Sequence, residues 1–216
     1  MNEPKNINNH SHKPLVVALD IDGVVLDFLV QWEIACEQYL QRKVSIKKFV
    51  YSLPSRYGLT PQEFQGAWDY FLNAGHWERI PERANAIEHI NEMCNMGIDV
   101  HLVTAANSNI AEARRKNLTT LGLPLSVQIH CTNGFKAEKL AELQPGIFVD
   151  DHDFHLKEAK EVGVVHRVQI PNHPFDNESI HSTRIECDLK NVVALARQLH
   201  SQKINKLSPI ENSICL

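Results

Sequence analysis

The 216-residue sequence lacks several signatures that define common protein classes. It contains no GxGxxG and no GxxxxGK[ST] motif, so neither a dinucleotide-binding fold nor a P-loop is supported. Its five cysteines include no CxxC pair, which argues against a zinc ribbon and a disulfide framework. No apolar run approaches the roughly 20 residues that span a bilayer. The N-terminal stretch is too polar for a signal peptide, so we expect a cytoplasmic protein with no membrane partner.

Basic charge is also scarce. The 22 Lys and Arg residues stand against 26 Asp and Glu, which gives a formal net charge of −4. This balance offers no basic surface for a nucleic-acid polymer or an anionic membrane. The hydrophobic fraction of 43% is ordinary for a globular protein and excludes global disorder. The 12 histidines show no clear metal-ligand spacing.

Short apolar runs alternate with helical periods along the chain. Strands are predicted at 15–19, 100–103, 127–129, 147–149 and 164–170. Helices are predicted after Pro81, over 107–121, over 136–143, and after the capping residues Asp153 and Asp188. This alternation is typical of right-handed βαβ units. The predicted fold class is therefore α/β, a three-layer Rossmann-like parallel sheet.

A long stretch between the first two strands carries no strand signal. Helices are predicted there over 26–39 and 62–72, separated by polar turns near Pro54 and Gly58, and aromatic residues are concentrated in this stretch. We interpret residues 28–78 as an inserted helical cap whose aromatic residues form a small core of their own. The α/β core then comprises 14–27 and 79–200, with flexible tails at 1–13 and 201–216.

Polar side chains follow the predicted strands at the edge where an open parallel sheet binds its ligands. They are Asp20, Asp22, Thr104, Lys136 and the pair Asp150–Asp151. Taken alone, some of them have a structural interpretation. The acidic pair would be a solvated strand end, Thr104 a capping threonine and Lys136 a surface lysine. Their order and placement together favour phosphoryl transfer.

Each residue type in this set has a chemical reason to be there. Asp20 can attack phosphorus, and Asp22 can protonate the leaving oxygen and later deprotonate water. A carboxylate and a phosphate dianion repel each other, so a divalent cation with carboxylate ligands is required. Thr104 and Lys136 can hold the phosphoryl oxygens, helped by backbone N–H groups of a helix that starts near Ser108.

The same residues resemble four motifs of the haloacid-dehalogenase-like (HAD) hydrolase superfamily. The matching segments are Leu19-Asp20-Ile21-Asp22-Gly23-Val24-Val25, Leu102-Val103-Thr104, Lys136 with Leu140, and Val149-Asp150-Asp151. The resemblance implies Mg²⁺ held by the Asp20 carboxylate, the Asp22 backbone carbonyl and Asp151. Asp150 would lie near the ion or behind the residues that bind it. It also places Ala105 beside Thr104 among the phosphate-binding residues. A second aspartate, Asp22, favours a phosphatase over a true dehalogenase.

Within that superfamily the chain is most similar to 5′(3′)-deoxyribonucleotidases. The likeness rests on 22–28 and on two stretches of the insert, 57–68 and 76–81. It implies that Phe28 and Trp77 face the base, although Trp77 is as well suited to filling a core. The chain departs from that pattern in having Ala105-Ala106 after the motif-two threonine and Gly134 where an arginine is usual.

The resulting hypothesis is a Mg²⁺-dependent phosphomonoesterase that forms an aspartyl-phosphate and acts on nucleoside monophosphates, a 5′-nucleotidase-like hydrolase. One alternative is a phosphatase or phosphotransferase for a sugar phosphate or another small metabolite. Another is a non-catalytic HAD-like binding or regulatory protein. The resemblance to cap-bearing relatives also allows a homodimer, although the sequence does not determine the oligomeric state.

Overall fold

The computed structural model describes residues 13–172 and 178–205. Its strands are β1 Val16–Leu19, β2 Asp99–Thr104, β3 Gln128–Cys131, β4 Ile147–Asp150, β5 His166–Gln169 and β6 Arg184–Ile185. Its α-helices are α1 Phe28–Leu40, α2 Leu53–Tyr57, α3 Pro61–Asn73, α4 Ala86–Asn95, α5 Ala111–Thr120, α6 Ala137–Leu143, α7 Asp153–Glu161 and α8 Lys190–Asn205. Within these residues all strands pair in parallel, in the order β3-β2-β1-β4-β5-β6.

The sheet has apolar layers on both faces, which confirms the predicted three-layer α/β fold. Val17 and Leu19 belong to a large buried cluster with apolar residues of α4, α5 and α8. Ala18, which points to the other face because side chains alternate along a strand, belongs to a smaller cluster with residues of α6 and α7. The central strands are buried on both sides, as their continuous apolar runs predict.

The five predicted strands are all present, and a sixth was missed. β6 is only two residues long, and both side chains are exposed. It therefore carries no apolar run from which a strand could be recognised. It pairs with β5 at the edge of the sheet.

Several helix boundaries differ from the prediction. The residue preceding α7 is His152, so Asp153 is the first helical residue rather than its cap. A short helix, α2, replaces the expected turn near Pro54, because proline fits the first turn of a helix and Gly58 ends it in the left-handed conformation. α8 continues to Asn205, into the segment expected to be a tail. The expected tails at 1–12 and 206–216 lie outside the described residues.

Helices α1 to α3 occupy the stretch that we interpreted as a cap, and aromatic rings fill the space between them. The ring centroids of this cluster lie 4.9 to 6.4 Å apart; its members are Phe28, Trp32, Phe64, Trp68, Phe71 and Trp77. The two linkers to the sheet lie side by side. The Asp27 N–H donates to the Pro81 carbonyl and the Arg83 N–H to the Val25 carbonyl, both at 2.9 Å.

In the two described stretches, no helix has both the length and the apolar character needed to cross a membrane. Within the same stretches Cys36, Cys94, Cys131 and Cys187 are free thiols, while Cys215 lies outside them. Of these four, Cys36 is the buried one, and Cys187 is exposed.

The aromatic cluster predicts a sharp contrast between two adjacent residues of α3. Phe71 is fully buried in the cluster, whereas Leu72 is 41% exposed. We expect Phe71→Ala to lower the free energy of unfolding by about 3–5 kcal/mol because it removes a ring and leaves a cavity. Leu72→Ala should cost less than about 1 kcal/mol. Urea denaturation of both variants measures the difference, and equal losses would contradict this packing.

Candidate active site

The register of the sheet brings two of the predicted carboxylates together. Leu19 of β1 pairs with Val149 of β4, so the next residues along each strand, Asp20 and Asp150, are neighbours at the carboxyl edge. The backbone N–H of Asp20 donates to the Val149 carbonyl at 2.8 Å and continues the pairing to the end of the strand. Both side chains are buried.

The ammonium group of Lys136 lies between these two carboxylates. Its Nζ donates to Asp20 Oδ1 at 2.6 Å and to Asp150 Oδ2 at 2.7 Å, and the lysine side chain is fully buried. Burial alone would lower the pKa of Lys136, but Asp150 and Asp20 outweigh it and raise the pKa above its ordinary value. The surface-lysine interpretation is therefore wrong.

The carboxyl group of Asp20 experiences opposing effects. Burial raises its pKa most, Lys136 lowers it, and the neighbouring Asp150 and Asp22 raise it again, to about 7. A buried carboxylate with a raised pKa in a cleft is a feature of functional sites. Asp150 and Asp22 repel the charged form of Asp20, and a bound cation would offset this repulsion.

Lys136 is held from its backbone side by a residue that sequence reasoning missed. The Glu158 carboxylate on α7 accepts the N–H of Lys136 at 3.2 Å and the N–H of Ala137 at 3.3 Å, at the start of α6. Glu158 also pairs with His155 Nδ1 at 2.7 Å. A glutamate one helix away from the lysine leaves no local signal in the sequence, because its partners come from another element.

Asp150 and Asp151 differ in how their oxygens are used. Asp150 accepts from Lys136 through Oδ2 and from the His152 N–H through Oδ1, at 2.9 Å. Asp151 accepts from Asn172 Nδ2 through Oδ2. Within residues 13–172 and 178–205, this leaves Oδ1 of Asp151 and Oδ2 of Asp20 without a hydrogen-bond donor. Burial, followed by the charges of Asp150 and Asp20, raises the pKa of Asp151 well above its usual range.

The three carboxylates form a group that suits a hard metal ion. Ligand oxygens of Asp20, Asp150 and Asp151 lie within 4.8 Å of one another. Carboxylate oxygens are the ligands that Mg²⁺ and Ca²⁺ take in proteins. Since both Asp150 oxygens already accept hydrogen bonds, Asp20 and Asp151 have the oxygens best placed to bind a cation.

Asp22 is paired with an arginine that the sequence did not indicate. Nη2 of Arg114, on α5, contacts both carboxylate oxygens of Asp22. Arg114 is fully buried, and its guanidinium carbon lies 4.3 Å from the centre of the Trp77 ring. In the sequence this arginine stands in a polar helical stretch, where an exposed position is the ordinary expectation.

Several backbone N–H groups after Thr104 are already engaged. Thr104 is buried, and its Oγ1 accepts the Ala106 N–H at 3.2 Å. The N–H of Ser108 donates to Asn133 Oδ1 at 3.0 Å, and the N–H of Asn109 donates to Asn107. A short 3₁₀ turn at Ser108–Ile110 precedes α5, so the expectation of free N–H groups near Ser108 is wrong.

These side chains meet around one cavity of about 420 Å³ between the sheet edge and the cap helices. Of the predicted site residues, eight line it: Asp20, Asp22, Phe28, Trp77, Thr104, Ala105, Lys136 and Asp151. Asp150 lies buried behind them. Lining residues that were not singled out from sequence as site residues include Tyr51, Arg56, Phe64, Trp68, His155 and Asn172.

Two histidines near the site have structural surroundings. His76 is buried, its Nδ1 lies 2.6 Å from Gln31 Nε2, and burial, followed by the charge of Arg79, lowers its pKa. The His152 ring lies 4.1 Å, centre to centre, from Tyr51 of the cap. Both rings therefore have contacts of a structural kind, and His76 in particular is enclosed by protein.

The buried ion pairs of Lys136 predict a large loss of stability when this lysine is replaced by a neutral residue. We expect Lys136→Met to lower the free energy of unfolding by about 3–5 kcal/mol, because it leaves buried carboxylates without their partner. Urea denaturation in the presence of EDTA measures the loss. Lys139→Met, which removes a lysine paired with Glu142 on the surface of α6, is the matched control and should have a much smaller effect. A similar loss in both variants would contradict the cluster's role.

No protein-family model matches this chain, and no curated protein matches its sequence. Solved structures do match its fold. A protein described as a phosphatase from Clostridium difficile superposes with a TM-score of 0.63 at 14% identity, covering 86% of this chain and all (100%) of that one. A HAD hydrolase from Bacillus subtilis bound to magnesium superposes with a TM-score of 0.60 at 14% identity, and the match covers 86% of this chain and 100% of that one.

A haloacid dehalogenase-like family hydrolase from Xanthomonas campestris has a TM-score of 0.56 at 12% identity and covers 89% of this chain and 98% of that one. At such identities the similarity establishes the fold and leaves the narrower likeness to deoxyribonucleotidases as a prediction. The chain has the fold of the haloacid-dehalogenase-like hydrolases.

Proposed function

We propose that this protein is a Mg²⁺-dependent phosphomonoesterase that acts on nucleoside monophosphates, a 5′-nucleotidase-like hydrolase of the cytoplasm. The observation that carries the proposal is the buried group of Asp20, Lys136 and Asp150: the first two form the floor of a cavity with aromatic walls, and Asp150 lies behind them. The floor supplies a nucleophile and positive charge for a phosphoryl group. The walls supply flat apolar surface for the rest of the substrate.

The reaction divides into two displacements. In the first, a carboxylate oxygen of Asp20 bonds to phosphorus while the ester P–O bond breaks, and Asp22 donates a proton to the leaving oxygen. In the second, water attacks the phosphorus of the aspartyl-phosphate and Asp22 takes a proton from it. The bond between phosphorus and Asp20 then breaks, which releases inorganic phosphate and restores the enzyme.

Lys136 and Thr104 assist by holding the phosphoryl oxygens. The Lys136 ammonium group is already fixed against Asp20, so its charge lies where negative charge develops. The Asp20 and Asp151 carboxylates would hold Mg²⁺, with Asp150 behind them and the Asp22 carbonyl as the further ligand implied by the resemblance. When bound, Mg²⁺ would offset the repulsion between the carboxylates and a phosphate dianion.

Cavity composition favours a nucleobase as the group attached to the phosphate. Aromatic residues form much of the lining: Phe28, Tyr51, Phe64, Trp68 and Trp77. Each base has a flat face that stacks on such rings. Phe28 and Trp77 both line the cavity and belong to the aromatic cluster, so recognition and packing are compatible.

A sugar phosphate is the second candidate substrate, and one observation favours it. Arg56 is buried and lines the cavity, with its Nε donating to the Val50 carbonyl at 2.7 Å. A guanidinium group beside the cavity suits sugar hydroxyls or a second anionic group. Arg42, also in the cap, pairs with Glu63 at the surface instead. We give the five aromatic residues of the lining more weight than Arg56.

Loss of the nucleophile is expected to abolish activity. Asp20→Asn should reduce hydrolysis of p-nitrophenyl phosphate and of nucleoside monophosphates to background, because the amide cannot form the phosphoryl ester. Asp69→Asn, an exposed cap position, is the matched control and should retain wild-type rates. Excess EDTA should likewise remove activity, and added Mg²⁺ should restore it.

The outcomes of this experiment separate the hypotheses. An active Asp20→Asn protein, or full activity in EDTA, would contradict the mechanism. Turnover of sugar phosphates but not nucleotides by the wild-type protein would favour the second substrate class. Absence of turnover on a broad panel of phosphates, with metal bound, would support a non-catalytic binding protein.

Recognition of the base predicts a substrate-selective effect at Trp77. We expect Trp77→Leu to lower kcat/KM for nucleoside monophosphates roughly 5- to 150-fold, which corresponds to the about 1–3 kcal/mol of one base–aromatic stack. Hydrolysis of ribose 5-phosphate, which has no base, should change little. Steady-state kinetics on both substrates measures the contrast. Equal losses on both would indicate that Trp77 acts through packing or through Arg114.

A further inference from the structure

The guanidinium group of Arg83, in the linker that leads from the cap back to the sheet, reaches the edge of the sheet. Arg83 lies between the cap and α4 and is half-buried. Its Nη2 donates to the Pro171 carbonyl at 2.6 Å, and its Nη1 donates to Asn172 Oδ1 at 2.9 Å and to the Gly23 carbonyl. One guanidinium group thus bridges the turn after β1 and the segment after β5.

This contact fixes which way the Asn172 amide faces. A guanidinium group has no acceptor, so the amide must turn its oxygen towards Arg83. Its nitrogen then faces Asp151, and Nδ2 donates to Asp151 Oδ2. A continuous chain of hydrogen bonds therefore runs from the linker, through Arg83 and Asn172, to a carboxylate of the candidate metal site.

The close fit around Gly23 reinforces this arrangement. Gly23 has a φ of +91°, and a Cβ atom placed there would lie 2.3 Å from Asn172 Nδ2. The backbone of the turn after β1 and the amide of Asn172 are therefore in contact. Because this turn joins Asp20 to the cap, the amide is confined between the turn and Asp151.

We propose that Arg83 and Asn172 are positioning residues for the metal site: they fix the orientation of the Asp151 carboxylate through Oδ2 and leave Oδ1 available to a cation. The proposal rests on the Mg²⁺ site of the proposed function. Because Oδ2 accepts from the Asn172 amide, the carboxylate cannot rotate freely, and Oδ1 would be the oxygen that binds the ion. Groups that orient metal ligands in this way typically contribute 10- to 100-fold to metal affinity.

Metal affinity, measured without turnover, tests the proposal. Mn²⁺ serves as the probe, and its dissociation constant is determined by electron paramagnetic resonance and by calorimetry on the full chain. We expect Arg83→Gln and Asn172→Leu each to weaken Mn²⁺ binding about 10- to 100-fold. Arg83→Lys should recover part of the loss, because an ammonium group keeps the charge but not the fork that spans several acceptors.

Arg79→Gln is the matched control, since it removes the same charge from the same linker. Arg79 donates to the Gly75 and Ala74 carbonyls and is exposed. Its variant should bind Mn²⁺ with wild-type affinity. The double variant Arg83→Gln/Asn172→Leu should bind no more weakly than the weaker single variant, because both residues act through one chain of contacts.

If the wild-type protein binds Mn²⁺ and both Arg83→Gln and Asn172→Leu bind it with the same affinity, this proposal is overturned and the proposed function stays intact. No Mn²⁺ binding by the wild-type protein would overturn both. Thermal unfolding in EDTA checks that each variant is folded, since a purely structural role would lower the melting temperature and leave the affinity of the folded protein unchanged. Should Arg83→Gln fail to fold, Asn172→Leu decides, because it removes only the amide.

Discussion

A lysine ammonium group enclosed by carboxylates is the interaction on which the rest of the site depends. Lys136 precedes α6, Asp20 follows β1 and Asp150 ends β4, and the bonds between them measure 2.6 and 2.7 Å. A single buried charge would cost several kcal/mol, so each of these groups is tolerated only because of the others. The register of β1 on β4 and the docking of α6 on α7 must therefore both be correct for the cluster to be satisfied.

The cap contributes to the site through residues that also hold the cap together. Phe28 and Trp77 lie in the aromatic cluster between the helices and also face the cavity. Trp77 stacks with the Arg114 guanidinium, which in turn binds Asp22. The aromatic surface proposed for the substrate and the proposed acid–base group are therefore in one continuous set of contacts.

Local patterns explain why much of this was predictable. Continuous apolar runs such as 15–19 identify buried parallel strands, and the residues that follow them identify the active edge, because strand ends of a parallel sheet converge. β6 was missed because it consists of two exposed residues, and α2 because it is a five-residue helix with a proline at its second position. Asp153 was misassigned as a cap because its residue type fits both the capping position and the first turn.

The sequence by itself determined the fold class, the order of the strand-end residues and the identity of the carboxylates, since each depends on a residue and its near neighbours. Only the tertiary structure decided how those groups are partnered. Arg114 meets Asp22 across 92 positions of the chain, and Asn172 meets Asp151 across 21. Both contacts depend on how helices and loops pack against the sheet, and no local periodicity records such distances. Side-chain partners in a buried polar site are therefore set by packing, while the residues that need partners are set by sequence.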